Sequence, residues 1–398
     1  MRDETMDFSE YYYRDPYKRE FDGKVLSCTR VKKGYEVILD DTLFYPEGGG
    51  QPCDKGIITY DGGDVKVLDV RRDEERGIIH LLDGMIPEGT EIHGVIDWEY
   101  RFSLMQNHTG EHIISGLIHR TYGYENVGFH MGDVLTIDLS GEMSWEEAEE
   151  IERRANRVIW DNREVRSVFP DEEALSTLEY RSKKELKGKV RLINIDNADS
   201  CACCGIHVKR TGEIGLIKLL SLIRYKGGVR IEMICGDKAL YDYEKKLNDN
   251  TEIKNLLSVK PEETVGAVKR IMEESIEKSE RIAGLNARYA ELKICSLSPD
   301  NGIIIDLEED MNGIELRKFC DRLNKTGKAK VSVVLSPSGD DKKAFQYVIA
   351  GTGYDLKSLA GSLNNELNGR GGGSKEMIQG TFFASYDRIS DAVFKLFR

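Results

Sequence analysis

The sequence predicts an α+β protein in four parts: a small N-terminal β-barrel, a middle α+β domain, a long linker helix and a C-terminal α/β domain. Three observations carry this. The first 97 residues alternate apolar and polar positions in short runs broken by glycine turns, the pattern of half-buried antiparallel strands. From Trp98 to about residue 255, helical three- and four-residue spacings interleave with further alternating runs. Past Pro261 comes a long charged stretch with helical spacing, and strand and helix patterns alternate from residue 298 to the end.

Taken in order, "GKVLSCTRVKKGYEVILDDTLFYP" alternates and breaks at Lys33-Gly34. "KGIITYDGGDVKVLDVRRDEERGIIHLLDG" does so again, turning at Gly62-Gly63 and near Gly77. Such runs predict a small antiparallel barrel or sandwich over 1–97. In the domain spanning 98–255, Leu104, His108, His112, Ser115 and His119 share a helical face from Trp98 to about Arg120. A second helix spans 144–163, where Ser144 and Glu147 fit a capping box. "VGFHMGDVLTIDLS" between them reads as strand, turn, strand. "GKVRLINI" and "GLIKLLSLIRYKGGVRIEMICG" add strands, with a hairpin turn at Gly227-Gly228.

The linker, 256–297, is a polar helix from about Pro261 to Lys293, with Val265, Val268, Met272, Ile282 and Tyr289 on one seam. Ser275, Ser279 and Asn286 weaken that seam, and the helix, or the C-terminal domain after it, could still pair with a second copy as a homodimer. The domain at 298–398 predicts strands near 302–306, 330–335 and 345–350, and helices near 312–324, 355–367 and 387–396. Its Arg370-Gly-Gly-Gly-Ser-Lys375 stretch reads as a turn with two cations that could contact phosphate.

With 40% hydrophobic and 32% charged residues, the chain can bury a core. No apolar run approaches the roughly 20 residues of a membrane span. The polar start lacks an apolar signal region, so a cytoplasmic location is expected. There cysteines stay reduced, and a cysteine cluster reads as metal-binding or catalytic before it reads as disulfide. The net charge of −13 argues against a general nucleic-acid coat. Locally the balance reverses: between His207 and Arg230 six basic residues, including Lys209 and Arg210, face one acidic residue, Glu213. That stretch is either a solvated surface or a phosphate contact.

The cluster in question is "DSCACCGIHVKRTGEIG", with three cysteines in four positions and a histidine behind them. "NHTGEH" places His108 and His112 four apart, on one face of a helix. "CCGIH" places Cys203 and His207 four apart around Gly205, a position suited to a tight turn. Two such nitrogen and sulfur arms make a His3Cys zinc site. Cys201 or Cys204 could substitute for Cys203 as ligand. His108-Thr-Gly-Glu111-His112 also fits the inverted zinc-peptidase motif, with Glu111 as base, but that leaves the cysteine arm unused. A thiol nucleophile would leave His108 and His112 unused.

Three motifs then occur in order: "TLFYPEGGGQPCDKG" (42–56), "NHTGEH" (107–112) and "CACCGIHVKRTGEIG" (201–215). In this order they resemble the editing domains of alanyl-tRNA synthetase and the free-standing AlaX alanyl-tRNA editing proteins. "YYRDPYKREFDGKVL" and "VGFHMGDVLTIDLS" resemble the longer AlaX proteins. "GRGGGSKEMIQG" resembles the DHH-associated domain that ends the synthetase. The resemblance covers nearly the whole chain. It departs where the synthetase pattern Cys-Gly-Gly-Thr-His becomes Cys203-Cys204-Gly205-Ile206-His207, which removes a hydroxyl at Ile206.

The resemblance implies a zinc-binding editing domain, a DHH-associated-type C-terminal domain and no aminoacylation core. It implies trans hydrolysis of the ester in seryl- or glycyl-tRNA(Ala). Serine is alanine plus a hydroxyl, which an apolar pocket rejects poorly and a second, polar sieve can select. Thr42, in a strand before the glycine loop, is the candidate reader of that hydroxyl. Gln51 ends a Gly48-Gly49-Gly50 loop where backbone can approach a ligand. His130 is a candidate proton carrier. Lys209, Arg210, Arg370 and Lys375 are candidate tRNA contacts. The opposing reading is a non-catalytic, zinc-stabilised tRNA-binding protein.

Overall fold

A computed structural model of the protein describes residues 10–182, 190–309, 311–338 and 344–397. The first nine residues of the polar start and the first two of the 188–195 run lie outside these. The chain forms two compact units, one ending at Leu256 and the other beginning at Leu257. Barrel and middle domain thus fall in one unit, and the long helix falls in the other. No helix among the described residues is long and apolar enough to cross a membrane.

A short helix α1 (Tyr11–Arg14) precedes six strands: β1 (Glu20–Val31), β2 (Gly34–Leu39), β3 (Gly56–Tyr60), β4 (Gly63–Asp73), β5 (Gly77–Leu82) and β6 (Glu91–Ile96). They close into an antiparallel barrel in the order β1-β2-β5-β4-β3-β6. The alternation explains closure. Val25, Val37, Ile58, Val70 and Leu82 fill the interior, while Leu26, Ile57 and Leu68 face out. Thr42 is not in a strand, as the sequence suggested. It lies in the extended connection between β2 and β3, whose Leu43, Phe44 and Tyr45 are buried.

That connection is tied to helix α2 (Trp98–Tyr122) by a fully buried ion pair. Arg101 donates through Nε to both carboxylate oxygens of Asp54 at 3.1 Å, and through a terminal nitrogen to the Leu43 carbonyl. Asp54 in turn accepts the Tyr45 N–H at 2.6 Å. Removing one partner strands the other charge away from water. Arg101→Met is therefore expected to destabilise the protein by about 3–5 kcal/mol. Urea unfolding measures this, and a second change, Asp54→Leu, should recover part of the loss.

The rest of this unit holds β7 (Asn126–Met131), β8 (Leu135–Leu139), α3 (Trp145–Trp160), β9 (Val165–Val168), α4 (Glu172–Thr177), β10 (Leu192–Ile195), β11 (Asp199–Ala202), β12 (Ile217–Tyr225), β13 (Gly228–Cys235) and α5 (Asp237–Leu257). Two antiparallel sheets form, β12-β13-β8-β7 and β11-β10-β9. Helix α2 is capped by Asp97, whose carboxylate accepts the Tyr100 N–H, and ends at left-handed Gly123. It is buried on nearly all sides between Leu104 and Ile118, so its polar residues must find partners inside the protein. Ser144 and Glu147 form the expected capping box of α3. The hairpin turn centres on Lys226 and Gly227, both at positive φ. Gly228 is already in the strand.

The second unit contains α6 (Thr264–Ser296), β14 (Ile303–Leu307), α7 (Gly313–Lys325), β15 (Val331–Ser338), β16 (Ala344–Gly351), α8 (Leu356–Glu366), β17 (Arg370–Gly373), β18 (Met377–Phe382) and α9 (Tyr386–Phe397). Its sheet runs β14-β15-β16-β18-β17 and is mixed: β14–β15 pair parallel and the other neighbours antiparallel. The expected 370–375 turn is instead an edge strand, β17, followed by a bend. A Cβ on Gly371 would meet the Gln379 carbonyl and the Tyr347 hydroxyl at 2.4 Å, so the glycine run serves close strand packing.

Candidate metal centre

Helix α2 presents His108 and His112 on one face, with ring centroids 5.4 Å apart. The loop after β11 returns Cys203 and His207 to them. The His207 ring lies 4.5 Å from His108 and 4.7 Å from His112, centroid to centroid. Cys203 Sγ is 3.4 Å from Nε2 of both His108 and His207. One ligand atom from each of the four residues lies within 4.8 Å of every other. The three histidines are buried and Cys203 is half-buried.

Each imidazole is held through its other nitrogen. Thr109 donates its hydroxyl hydrogen to the Met105 carbonyl at 2.8 Å, leaving a lone pair for His207 Nδ1–H at 3.2 Å. Gln51 Oε1 accepts His108 Nδ1–H at 2.8 Å and the Ile206 N–H at 3.1 Å. Asp199 accepts His112 Nδ1–H at 2.8 Å and is gripped by Arg181 through two further 2.8 Å bonds. With all three Nδ1 atoms protonated, all three Nε2 lone pairs are free to face the centre. Three imidazoles and one thiolate fit a tetrahedral zinc ion.

The electrostatics agree. Burial alone would push the Cys203 thiol up, but His108 and His112 outweigh it and hold the group well below the usual thiol range. Burial pulls His112 down, but Cys203 and the Asp199 bond raise it to about 10. Burial and neighbouring His108 push His207 down to about 3. A thiolate whose charge is balanced by a raised His112 beside it is an arrangement that a divalent cation satisfies in its place.

The cysteine loop is fastened from outside. Tyr13 and Tyr45 donate to the Cys204 carbonyl at 2.6 and 3.2 Å. Arg191 donates to the carbonyls of Cys203 and Gly205 at 3.1 and 2.6 Å. Gly205 is required by clearance, not by the expected tight turn. A Cβ there would stand 2.1 Å from His108 Cε1 and 2.9 Å from Gln51 Oε1. Gly48 and Gln51 close a turn through mutual bonds of 3.1 and 2.9 Å, with Gly49 and Gly50 at φ of +60° and +82°. Gly50 packs against Phe129, whose ring stacks on His108 at 5.4 Å.

The structure therefore brings His108, His112, Cys203, His207 and Gln51 together. It does not bring His130. Phe129 uses the strand face toward His108, so alternation sends exposed His130 to the other face. The Thr42 hydroxyl is engaged with His80 and the Phe44 N–H. Lys209 lies over the Tyr17 ring at 4.3 Å, and Arg210 donates to the Asn162 carbonyl. Arg370 and Lys375 are exposed in the second unit. Cys201 groups with His112 and Asp199. There, the Arg181 guanidinium already neutralises Asp199, which disfavours a second ion. Glu111 accepts from Ser115 at 2.7 Å and from Asn126.

Asp199, Arg181, Thr109, Arg191 and Phe129 escaped the sequence reading, because no spacing rule marks a residue that supports a ligand. Asp199→Asn is expected to weaken zinc affinity about 10–100-fold, the usual consequence of losing such a partner. Competition with a chelator measures it.

Comparison with known proteins places this chain among the relatives of class II synthetases. Residues 16–100 match the family model described as tRNA synthetases class II (A), and residues 190–232 match the threonyl and alanyl tRNA synthetase second additional domain. The second match contains Cys203 and His207. The chain is 31% identical to the alanyl-tRNA editing protein AlaX-L of Pyrococcus horikoshii, over 97% of this chain and 98% of that protein. The chain belongs to the AlaX family of alanyl-tRNA editing proteins. It is also 34% identical to the alanine–tRNA ligase of Pyrococcus furiosus over 93% of its own length, spanning 41% of that enzyme. The C-Ala domain of Aquifex aeolicus alanyl-tRNA synthetase aligns over 25% of this chain and 91% of the domain, at 23% identity and a TM-score of 0.21.

Proposed function

We propose that the protein hydrolyses, in trans, the ester joining a wrong amino acid to tRNA(Ala), with seryl- or glycyl-tRNA(Ala) as substrate. The observation that carries this is the convergence of the Gly48–Gln51 turn on a buried His3Cys set through the Gln51–His108 bond. His108, His112, Cys203 and His207 would hold zinc. When bound, it would supply Lewis acidity toward a carbonyl or a water of lowered pKa. Gln51 spends its oxygen on His108 and Ile206. Its fully buried Nε2 has no partner among the described residues. That amide is a donor available to a substrate oxygen. Thr42 would read the side-chain hydroxyl. Lys209 and Arg210, with Arg370 and Lys375 in a C-terminal domain of DHH-associated type, would contact tRNA phosphates. His130 takes no part, as it faces away.

A second reading has one observation in its favour. Four protein ligands close a zinc coordination shell, the mark of a structural ion. On that reading the protein binds tRNA without cleaving it. The peptidase reading lacks such support, since Cys203 and His207 stand where a carboxylate ligand would be needed. Release of serine from seryl-tRNA(Ala), with and without chelator, separates the readings. Metal-replete protein that leaves seryl-, glycyl- and alanyl-tRNA intact ends the deacylase reading.

A homodimer through α6 is part of the proposal. Val265, Met272 and Ile282 on that helix are 67, 62 and 57% exposed, an apolar seam that a second copy could cover. The mass in solution, with and without residues 261–398, tests it.

A further inference from the structure

We propose that Asp306, Glu308 and Lys293 form a proton-operated latch on the long helix: while Asp306 holds a proton the end of α6 is clamped to the C-terminal sheet, and when the proton leaves the clamp loosens. This latch acts apart from the metal centre and from the deacylase reading.

Helix α6 is exposed at every residue from Val268 to Asn286. Its hold on the C-terminal sheet lies in its last turns. Ala290 and Ile294 enter an apolar cluster with Ile304 of β14, Leu316 and Phe319 of α7 and Val334 of β15. Lys328 donates to the carbonyls of Ile294, Cys295 and Leu297 and so closes the helix end. Beside this cluster Lys293 reaches two acids. Its Nζ lies 3.3 Å from Asp306 Oδ1 and 3.1 Å from Glu308 Oε1. Tyr289, one turn earlier, donates to Glu308 at 3.0 Å.

Strand alternation puts Asp306 and Glu308 on the Ile304 side of the sheet, the side that α6 covers. Both are buried, 7 and 6% exposed. Two carboxylates face one ammonium, so the group is one positive charge short. The shortfall shows at Asp306 Oδ2, which is buried and finds no donor among the described residues. A proton on Asp306 removes it: the group becomes neutral, and the two carboxyl groups can share the hydrogen. Burial and the bond to Glu308 raise Asp306 to about 6, against the pull of Lys293. Burial would lower Lys293, but Glu308 and Asp306 raise it, so it keeps its charge. The surrounding elements do not supply the missing charge. On α7, Glu315 is bonded to Asn286, and burial pushes the Cys320 thiol up to about 12. Strand β15 carries no ionisable side chain. Glu309, next along the chain, is exposed.

An acid whose pKa rises on docking favours the docked state at low pH. That stabilisation is complete below the ordinary carboxylate range and is lost as pH rises through about 6.

Hydrogen exchange of the full-length protein tests the latch, read by mass spectrometry over residues 286–297 at pH 5 and 7.5 and corrected for intrinsic rates. Protection should fall about tenfold between the two, the linkage expected of such a shift, while β16 and α8 keep theirs. Asp306→Asn cannot ionise, so its protection should change less than twofold and exceed that of wild type at pH 7.5. Lys293→Met should lose protection at pH 7.5, because it leaves both acids uncompensated. Carbon NMR of the wild-type protein should find the Asp306 carboxyl titrating at about 6, a reading that depends on no variant. A midpoint at about 4, the ordinary aspartate value, or the wild-type pH dependence retained in Asp306→Asn, overturns the latch.

Discussion

Cys203→Ala is expected to lower bound zinc from about one ion per chain to a trace and to abolish deacylation, a fall of at least about a hundredfold. Among the described residues, the side chain supplies the only sulfur grouped with the three histidines, at 3.4 Å from two of their Nε2 atoms. Without it the remaining neutral imidazoles lack the negative charge that compensates a divalent ion. The neighbours behave differently. Cys201 is buried in β11 beside Arg181-paired Asp199, and burial pushes its thiol up, so it holds its proton. Cys201→Ala and Cys204→Ala are therefore expected to keep zinc. Elemental analysis of the three variants assigns the ligand. Retained zinc in Cys203→Ala would move it to another cysteine.

Gly205→Ala is expected to have nearly as large an effect with the addition of one methyl group. Its Cβ would overlap the His108 ring at 2.1 Å and crowd Gln51 at 2.9 Å. Either His108 turns away from Cys203 or the loop withdraws and loses the Ile206–Gln51 bond. Zinc affinity should fall at least about a hundredfold, with a lower melting temperature in the zinc-loaded protein. Gly266→Ala is the control: a Cβ there meets nothing within 4 Å, and the helix should gain about 0.5–1 kcal/mol. Unchanged zinc binding in Gly205→Ala would mean that the loop does not hold the conformation described here.

What could be read before the structure follows from which interactions leave a period. The barrel strands and α3 obey two- and 3.6-residue repeats, and Ser144 with Glu147 announces a cap, so these elements are legible; α2, buried on nearly all sides, is legible from the spacing of Leu104, His108, His112, Ser115 and His119. The two ligand arms are legible because a four-residue spacing on a helix and around one glycine is itself a pattern. Helix α5 was missed because its sequence is polar with little periodicity, and only Ala239 among its residues is buried. Strands β9 and β11 were missed because four residues are too short for alternation to register. The run Arg370–Gly373 looks like a turn by composition, yet tertiary packing against Gln379 and Tyr347 makes it a strand. His130 shows the limit at the site. Proximity to a motif in sequence does not say which way a side chain faces. It follows a strand neighbour, Phe129, that has already taken the inner face. Gly205 shows a subtler case: the residue was singled out correctly, but it is needed for contact distance and not for φ.

The most direct test of the central claim is the rate of serine release from seryl-tRNA(Ala) by the full-length, zinc-loaded protein, measured beside Cys203→Ala. The account predicts turnover that a chelator removes and that Cys203→Ala lacks. Binding of the charged tRNA with its ester left intact would contradict it and leave zinc as a structural ion alone.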